Sequence, residues 1–159
     1  MGICWSNVSC KSIISVRTFN LIEHSEIDKD SDYETEFAGG NVQVINTLEA
    51  WEAKLSEAKS LHKIVIANFT ATWCGPCKVI APYYRELSEK YPCLMFLVVD
   101  VDELTDFSTS WDIKATPTFF FLRDGQQIDK LVGANKAELN KKITDLADSL
   151  PSLQTMIAS

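Results

Sequence analysis

The sequence predicts an α/β domain, a central mixed β-sheet flanked by helices on both faces. Three observations lead there. From residue 41 onward, β-rich apolar runs alternate with segments of helical period. The last two strand-like runs are joined by Asp124-Gly125, a two-residue hairpin signal. The chain has 159 residues, 46% hydrophobic and 23% charged, which suits one compact domain. Strands that alternate with helices and close on a hairpin give a mixed sheet with helices on both faces.

Taken in order, Val42, Val44 and Ile45 suggest a short strand. Asn46 or Thr47 can cap the helix that follows, with Glu49 placed as in a capping box after Asn46. Leu48, Trp51, Leu55 and Ala58 then recur at helical spacing. Lys63 to Thr70 is a largely apolar, β-rich run and reads as a buried strand. A helix is expected from about Gly75 to Lys90, with Val79, Ile80, Tyr83, Tyr84 and Leu87 inward and Pro82 inside it. Leu94 to Val99 is a second buried strand, and Glu103 to Ser110 a short helix. Thr118 to Leu122 and Gln127 to Val132 are the arms of the hairpin. Leu139, Ile143, Leu146 and Leu150 mark a last amphipathic helix. The order is β-α-β-α-β-α-β-β-α.

Charge divides the chain near Gly39-Gly40. Residues 1–20 carry Lys11 and Arg17 and no acids, whereas 21–40 carry seven acids against Lys29. The acidic stretch has few large apolar residues and no period, so 1–40 reads as a flexible N-terminal extension and 41–159 as the domain. The net charge of −7 argues against a nucleic-acid partner. No apolar run approaches the roughly 18 residues of a membrane span.

Five cysteines, Cys4, Cys10, Cys74, Cys77 and Cys93, are an odd and unevenly placed set. They do not resemble a secreted disulfide scaffold. Trp73-Cys74-Gly75-Pro76-Cys77 directly follows a buried strand and opens a helix. A Cys-x-x-Cys pair there sets two sulfurs within disulfide reach across one turn. The free N–H groups and positive end of the helix stabilise a thiolate on Cys74. Cys77, one turn in, is expected to be more buried and to keep its proton until needed. Cys74 would attack a partner's disulfide, and Cys77 would resolve the mixed disulfide. Two plainer readings are weaker. Zinc takes four ligands, and only Cys93, His62 and His24 remain as partners, none at paired metal spacing, so no metal and no other cofactor is expected. A purely structural disulfide across so short a loop would constrain little.

With Ala115 to Thr118 (ATPT) downstream and Val132 to Lys136 (VGANK) later, the WCGPC segment resembles thioredoxin over roughly residues 41–150. The acidic lead-in and Val98 to Glu103 (VVDVDE) resemble the plant h-type branch. The resemblance implies the thioredoxin fold and a protein-disulfide reductase. It implies a cis peptide between Thr116 and Pro117, with the Thr116 backbone pairing with a substrate strand. It implies that Trp73, Gly75, Pro76, Gly133 and Ala134 line the surface on which disulfide-containing targets dock. Electrons would come from a thioredoxin reductase or from a glutathione/glutaredoxin route, and a monomer is expected. Plainer readings stand beside these: Trp73 as core, Gly133 as a backbone requirement, and Pro117 as the shaper of a tight turn.

Three positions depart from the family pattern. Asn68 stands where an acidic residue is usual, Val98 where a Lys often faces it, and Thr70 where a Trp is common. An amide cannot take a proton at neutral pH, and losing the acid and the Lys together is coherent, because a lone buried Lys is costly. Proton handling at Cys77 is then expected to use the helix dipole and water. Asp100 and Asp102 are the nearest acids in sequence and are expected to be solvated.

Met1-Gly2-Ile3-Cys4-Trp5-Ser6 fits the myristoylation pattern at Gly2. One myristate anchors weakly, so a second signal is needed, and Cys4 is a candidate palmitoylation site. Cys4 has a rival reading as an extra redox relay for Cys74 and Cys77. Cys10 is an uncommitted thiol and Cys93 a small core residue. The expected location is cytoplasmic, peripheral to the plasma membrane or endomembranes through the N-terminus. A second functional reading is a membrane-tethered, redox-sensitive binding module.

Overall fold

A computed structural model describes residues 39–150. Gly2, Cys4 and Cys10 therefore lie outside the described residues, as does most of the expected extension.

The elements follow the expected order. Strand β1 (Val42–Ile45) leads to helix α1 (Leu48–Ser60), β2 (Val65–Thr70), α2 (Gly75–Lys90), β3 (Met95–Asp100), α3 (Thr105–Ser110), β4 (Thr118–Arg123), β5 (Gln126–Val132) and α4 (Lys136–Ser149). The five strands form one sheet in the order β1-β3-β2-β4-β5. β1, β3 and β2 run parallel, and β4 and β5 are antiparallel additions. The hairpin turns at Asp124-Gly125, whose φ angles of 54° and 80° match the left-handed backbone of a two-residue turn.

The sheet separates two apolar layers. On one face α2 and α4 cover Ile66, Phe96, Val98, Phe119 and Phe121 with Ile80, Tyr84, Leu87, Leu139 and Ile143. On the other, α1 and α3 cover Val65, Ala67, Phe69, Leu97 and Phe120 with Trp51, Ala58 and the half-buried Phe107. β2 and β3 are covered on both faces, so every residue of each is buried.

Local sequence explains the starts. Thr47, not Asn46, caps α1: its Oγ1 accepts the Ala50 N–H at 3.1 Å. Asn135 caps α4 by accepting the Glu138 N–H at 3.1 Å. Val79, expected inward, faces solvent at 64% exposure, and Leu48, the first residue of α1, is 46% exposed. Tyr83 is only half-buried, with the Lys136 ammonium 5.6 Å from its ring centre. Cys93 is half-buried against the α2 and α4 layer.

The chain enters the domain at the far end of α2. The Asn41 N–H donates to Ser88 Oγ (3.0 Å) and its side-chain amide to Ser88 O (3.1 Å). Gly40 has φ +59°, and a Cβ there would stand 2.9 Å from Ser88 Oγ, so this contact needs glycine. Because Ser88 meets the start of β1, α2 runs antiparallel to the parallel strands beneath it. That direction brings its first turn to the end of β2.

Candidate active site

β2 ends at Thr70, a short turn follows, and Cys74 caps α2. Its backbone is extended (φ −84°, ψ 107°), and its Sγ accepts the Cys77 N–H at 3.2 Å. Gly75 and Pro76 fill the exposed first turn, where a missing proline N–H costs no helix hydrogen bond. Cys74 and Cys77 are joined as a disulfide, with Cα atoms 5.2 Å apart. Cys77 is fully buried and Cys74 is 4% exposed. One sulfur therefore sits at the positive end of a helix with a backbone donor on it, and the other is sealed in the core.

The other expected site residues gather around this turn. The Thr116–Pro117 peptide is cis, and the Thr116 carbonyl oxygen lies 3.4 Å from Cys74 Sγ. Pro117 is held by β5, since the Gly133 N–H donates to Pro117 O at 2.8 Å. Gly133 has φ +96° with nothing within 4 Å of a built Cβ. Its backbone angle, not crowding, is what favours glycine. Ala134 follows, packed against the core beside the cap of α4.

Trp73 is 71% exposed and is not a core residue. Its indole N–H donates to Asp102 Oδ2 at 2.7 Å. Trp73 and Thr116 share a shallow cavity of about 270 Å³ with Val101, Ile113 and hydroxyl-bearing α3 residues. Asp102 and that α3 face are absent from the sequence reading of the site. The VVDVDE run was the available signal, because it brings an acid to the end of β3 next to the end of β2.

Beneath the cysteines the sheet is polar. Asn68 pairs in register with Val98 and Phe119, and Thr70 with Asp100. Asn68 is 1% exposed and Thr70 fully buried. Both amide atoms of Asn68 and the Thr70 hydroxyl find no hydrogen-bond partner among the described residues. Such a group costs about 1–3 kcal/mol when left dry. Asp100 corrects an expectation. It is 3% exposed, not solvated, because it ends a strand that is covered on both faces. Its carboxylate accepts the Asp102 N–H at 2.7 Å. Burial raises its pKa above the usual carboxylate value, backbone N–H groups of Asp102 and Glu103 hold it partly down, and the Asp102 charge adds to the rise. Asp102 itself is exposed, as expected.

Among the described residues, no three His, Cys, Asp or Glu gather so as to hold a metal ion. No described helix is long and apolar enough to cross a membrane.

Comparison with known proteins agrees with this geometry. The thioredoxin family model matches residues 42–145. A thioredoxin H-type from Populus jackii is 72% identical over 122 residues, covering 77% of this chain and 88% of that protein. Thioredoxin H9 from Arabidopsis thaliana is 67% identical over 124 residues, covering 78% and 89%. The crystal structure of a poplar wild-type thioredoxin h superposes with a TM-score of 0.68 at 75% identity, covering 70% of this chain and all of that one. A dithiol turn between β2 and α2, faced by a cis proline, in a chain this similar to plant h-type proteins is a thiol–disulfide oxidoreductase centre, and the chain belongs to the thioredoxin family.

Proposed function

We propose that Cys74 is the nucleophile and Cys77 the resolving thiol in the reduction of protein disulfides. The observation that carries this assignment is the capping contact, with Cys74 Sγ accepting the Cys77 N–H at the start of α2 while Cys77 is fully buried. A helix N-terminus and an N–H donor favour negative charge on the first sulfur. The Cys74 thiolate attacks one sulfur of the target disulfide and displaces the other as a thiolate. Cys77 then loses its proton and attacks Cys74. The Cys74–target bond breaks, the target leaves with both sulfurs reduced, and the protein keeps the disulfide.

Trp73, Gly75, Pro76, Thr116, Pro117, Gly133 and Ala134 form the docking face. Support comes from the exposure of the Trp73 indole and from the closeness of the Thr116 carbonyl to Cys74 Sγ. An extended target segment would pair with the Thr116 backbone and present its disulfide to Cys74. Two electrons return from thioredoxin reductase or through glutathione and glutaredoxin. The protein acts as a monomer in the cytoplasm.

Residues 1–40 serve as an extension outside the 41–159 domain, with myristate on Gly2 and with Cys4 as a palmitoylation site or a redox relay. The M-G-x-x-x-[ST] pattern supports the lipid. Intact-mass measurement of the native protein, with and without hydroxylamine and thiol reductant, reads each modification.

Reduction of insulin disulfides by the full chain tests the cysteine roles. Cys74→Ser should abolish turnover, and Cys77→Ser should accumulate a mixed disulfide at Cys74. Unchanged turnover in Cys74→Ser overturns the assignment.

A further inference from the structure

Cys77 is fully buried and must lose a proton before it can attack. Its neighbourhood can be read from helix and strand rises. The hydroxyl of Tyr84 donates to the carbonyl of Ile66 (2.8 Å) or of Leu97 (2.9 Å), which fixes α2 over β2 and β3. Cys77 lies about two turns, or about 10 Å, nearer the helix start. α2 runs antiparallel to β2, so the same distance along the strand, at about 3.3 Å per residue, leads from Ile66 to Asn68–Thr70. Asn68 and Thr70 alternate onto the same face as Ile66, the face that α2 covers.

These two residues carry the buried polar atoms that find no partner among the described residues: the Asn68 carbonyl oxygen, the Asn68 amide nitrogen and the Thr70 hydroxyl. Together they offer donors and acceptors on one strand face, spaced about 6.6 Å apart along it. Internal waters in proteins occupy such places, making about three hydrogen bonds to otherwise unpaired buried groups.

We infer that Asn68 and Thr70 hold an ordered water beneath Cys77, and that this water carries the Cys77 proton away in the resolving step. The inference rests on Cys77 as the resolving thiol. The proton leaves Cys77 Sγ along the water toward bulk solvent. The freed electron pair forms the Cys77–Cys74 bond. The Cys74–target bond breaks, and its pair stays on the target sulfur, which is protonated from solvent. Asn68 and Thr70 are positioning residues, acting through the water they orient. Asp100, opposite Thr70 in register, is the titratable competitor for this proton. Its Oδ1 is already engaged by the Asp102 N–H.

The test is a single-turnover reaction of the reduced full chain with a disulfide peptide, quenched in acid and resolved by mass spectrometry. It separates attack, seen as formation of the Cys74 mixed disulfide, from resolution, seen as its decay. Asn68→Leu and Thr70→Val should each slow resolution about tenfold or more while attack is unchanged. Both should melt close to the parent, because the polar groups and the water that satisfies them are lost together. Asn68→Ser, which keeps a hydroxyl and leaves room for water, should restore most of the rate. Resolution at the parental rate in Asn68→Leu and Thr70→Val overturns the inference. So does a loss in Asp100→Asn that those two variants do not share, which would make the carboxylate the proton acceptor. A Cys77→Ser chain that fails to accumulate the mixed disulfide refutes the cysteine roles instead, so the two failures are distinguishable.

Discussion

Asn68→Asp exchanges one atom group in the buried polar floor beneath the cysteines, and its consequence can be worked out from position alone. The side chain is 1% exposed, flanked in register by Val98 and Phe119, with buried Asp100 on the same sheet face one step further along. Burial and the neighbouring acid both disfavour the charged form. Fully buried carboxyl groups rise by up to 3–5 pH units, and the low end of that range sets the folded pKa at about 7 against about 3.9 unfolded. A raised acid pKa means that the folded state holds the proton longer, so stability falls as pH rises between those two values. At 1.36 kcal/mol per unit, the loss relative to Asn68 is about 1.5 kcal/mol at pH 5 and about 4 kcal/mol at pH 9. The larger figure is a substantial part of the roughly 5–15 kcal/mol that holds a domain together. Urea unfolding of oxidised parent and variant at both pH values measures it. A parent–variant difference that changes by less than about 0.5 kcal/mol between pH 5 and pH 9 would refute the reasoning, because position 68 would then solvate a charge.

Asp100→Asn should act in the opposite sense: its folded pKa is raised mainly by burial, so the parent loses stability as pH climbs from the ordinary carboxylate value to the raised one, and the variant, in denaturant titrations, does not. Gly40→Ala should cost about 2 kcal/mol in the same assay, since φ is +59° and the new Cβ meets Ser88 Oγ at 2.9 Å. Tyr84→Phe should cost about 1 kcal/mol by removing the hydroxyl that donates to Ile66 O or Leu97 O; an unchanged midpoint would mean that this bond contributes nothing. Asp102→Ala frees the Trp73 indole, which now donates to it at 2.7 Å; KM for insulin should rise severalfold with kcat nearly constant, and a loss confined to kcat would contradict a docking role for Trp73.

The local chemistry was the most legible part of the sequence. Cys74 and Cys77 needed only a strand before them and a helix after them, and both elements announce themselves by composition. Element bounds were readable to within a residue or two because β2 and β3 are continuous apolar runs. What escaped were properties set by tertiary neighbours. Val79 fits an inward helical pattern yet is exposed, because it lies on the open rim beside the reaction centre and nothing covers it. Asp100 looks solvated by residue type, but strand alternation carries it under a helix and the turn after β3 supplies its N–H partners. Asp102 joined the site through the pairing of β2 with β3, which sets the end of the VVDVDE run beside the turn that carries Trp73.

The clamp of Gly40 and Asn41 on Ser88 fixes a direction as well as a contact. From Cys74 to that clamp, α2 extends about 20 Å. The chain ahead of Gly39 therefore joins the domain at the pole opposite the disulfide. A client docked on Trp73, Pro117 and Gly133 would meet the domain about 20 Å from that junction and would not be crowded by it.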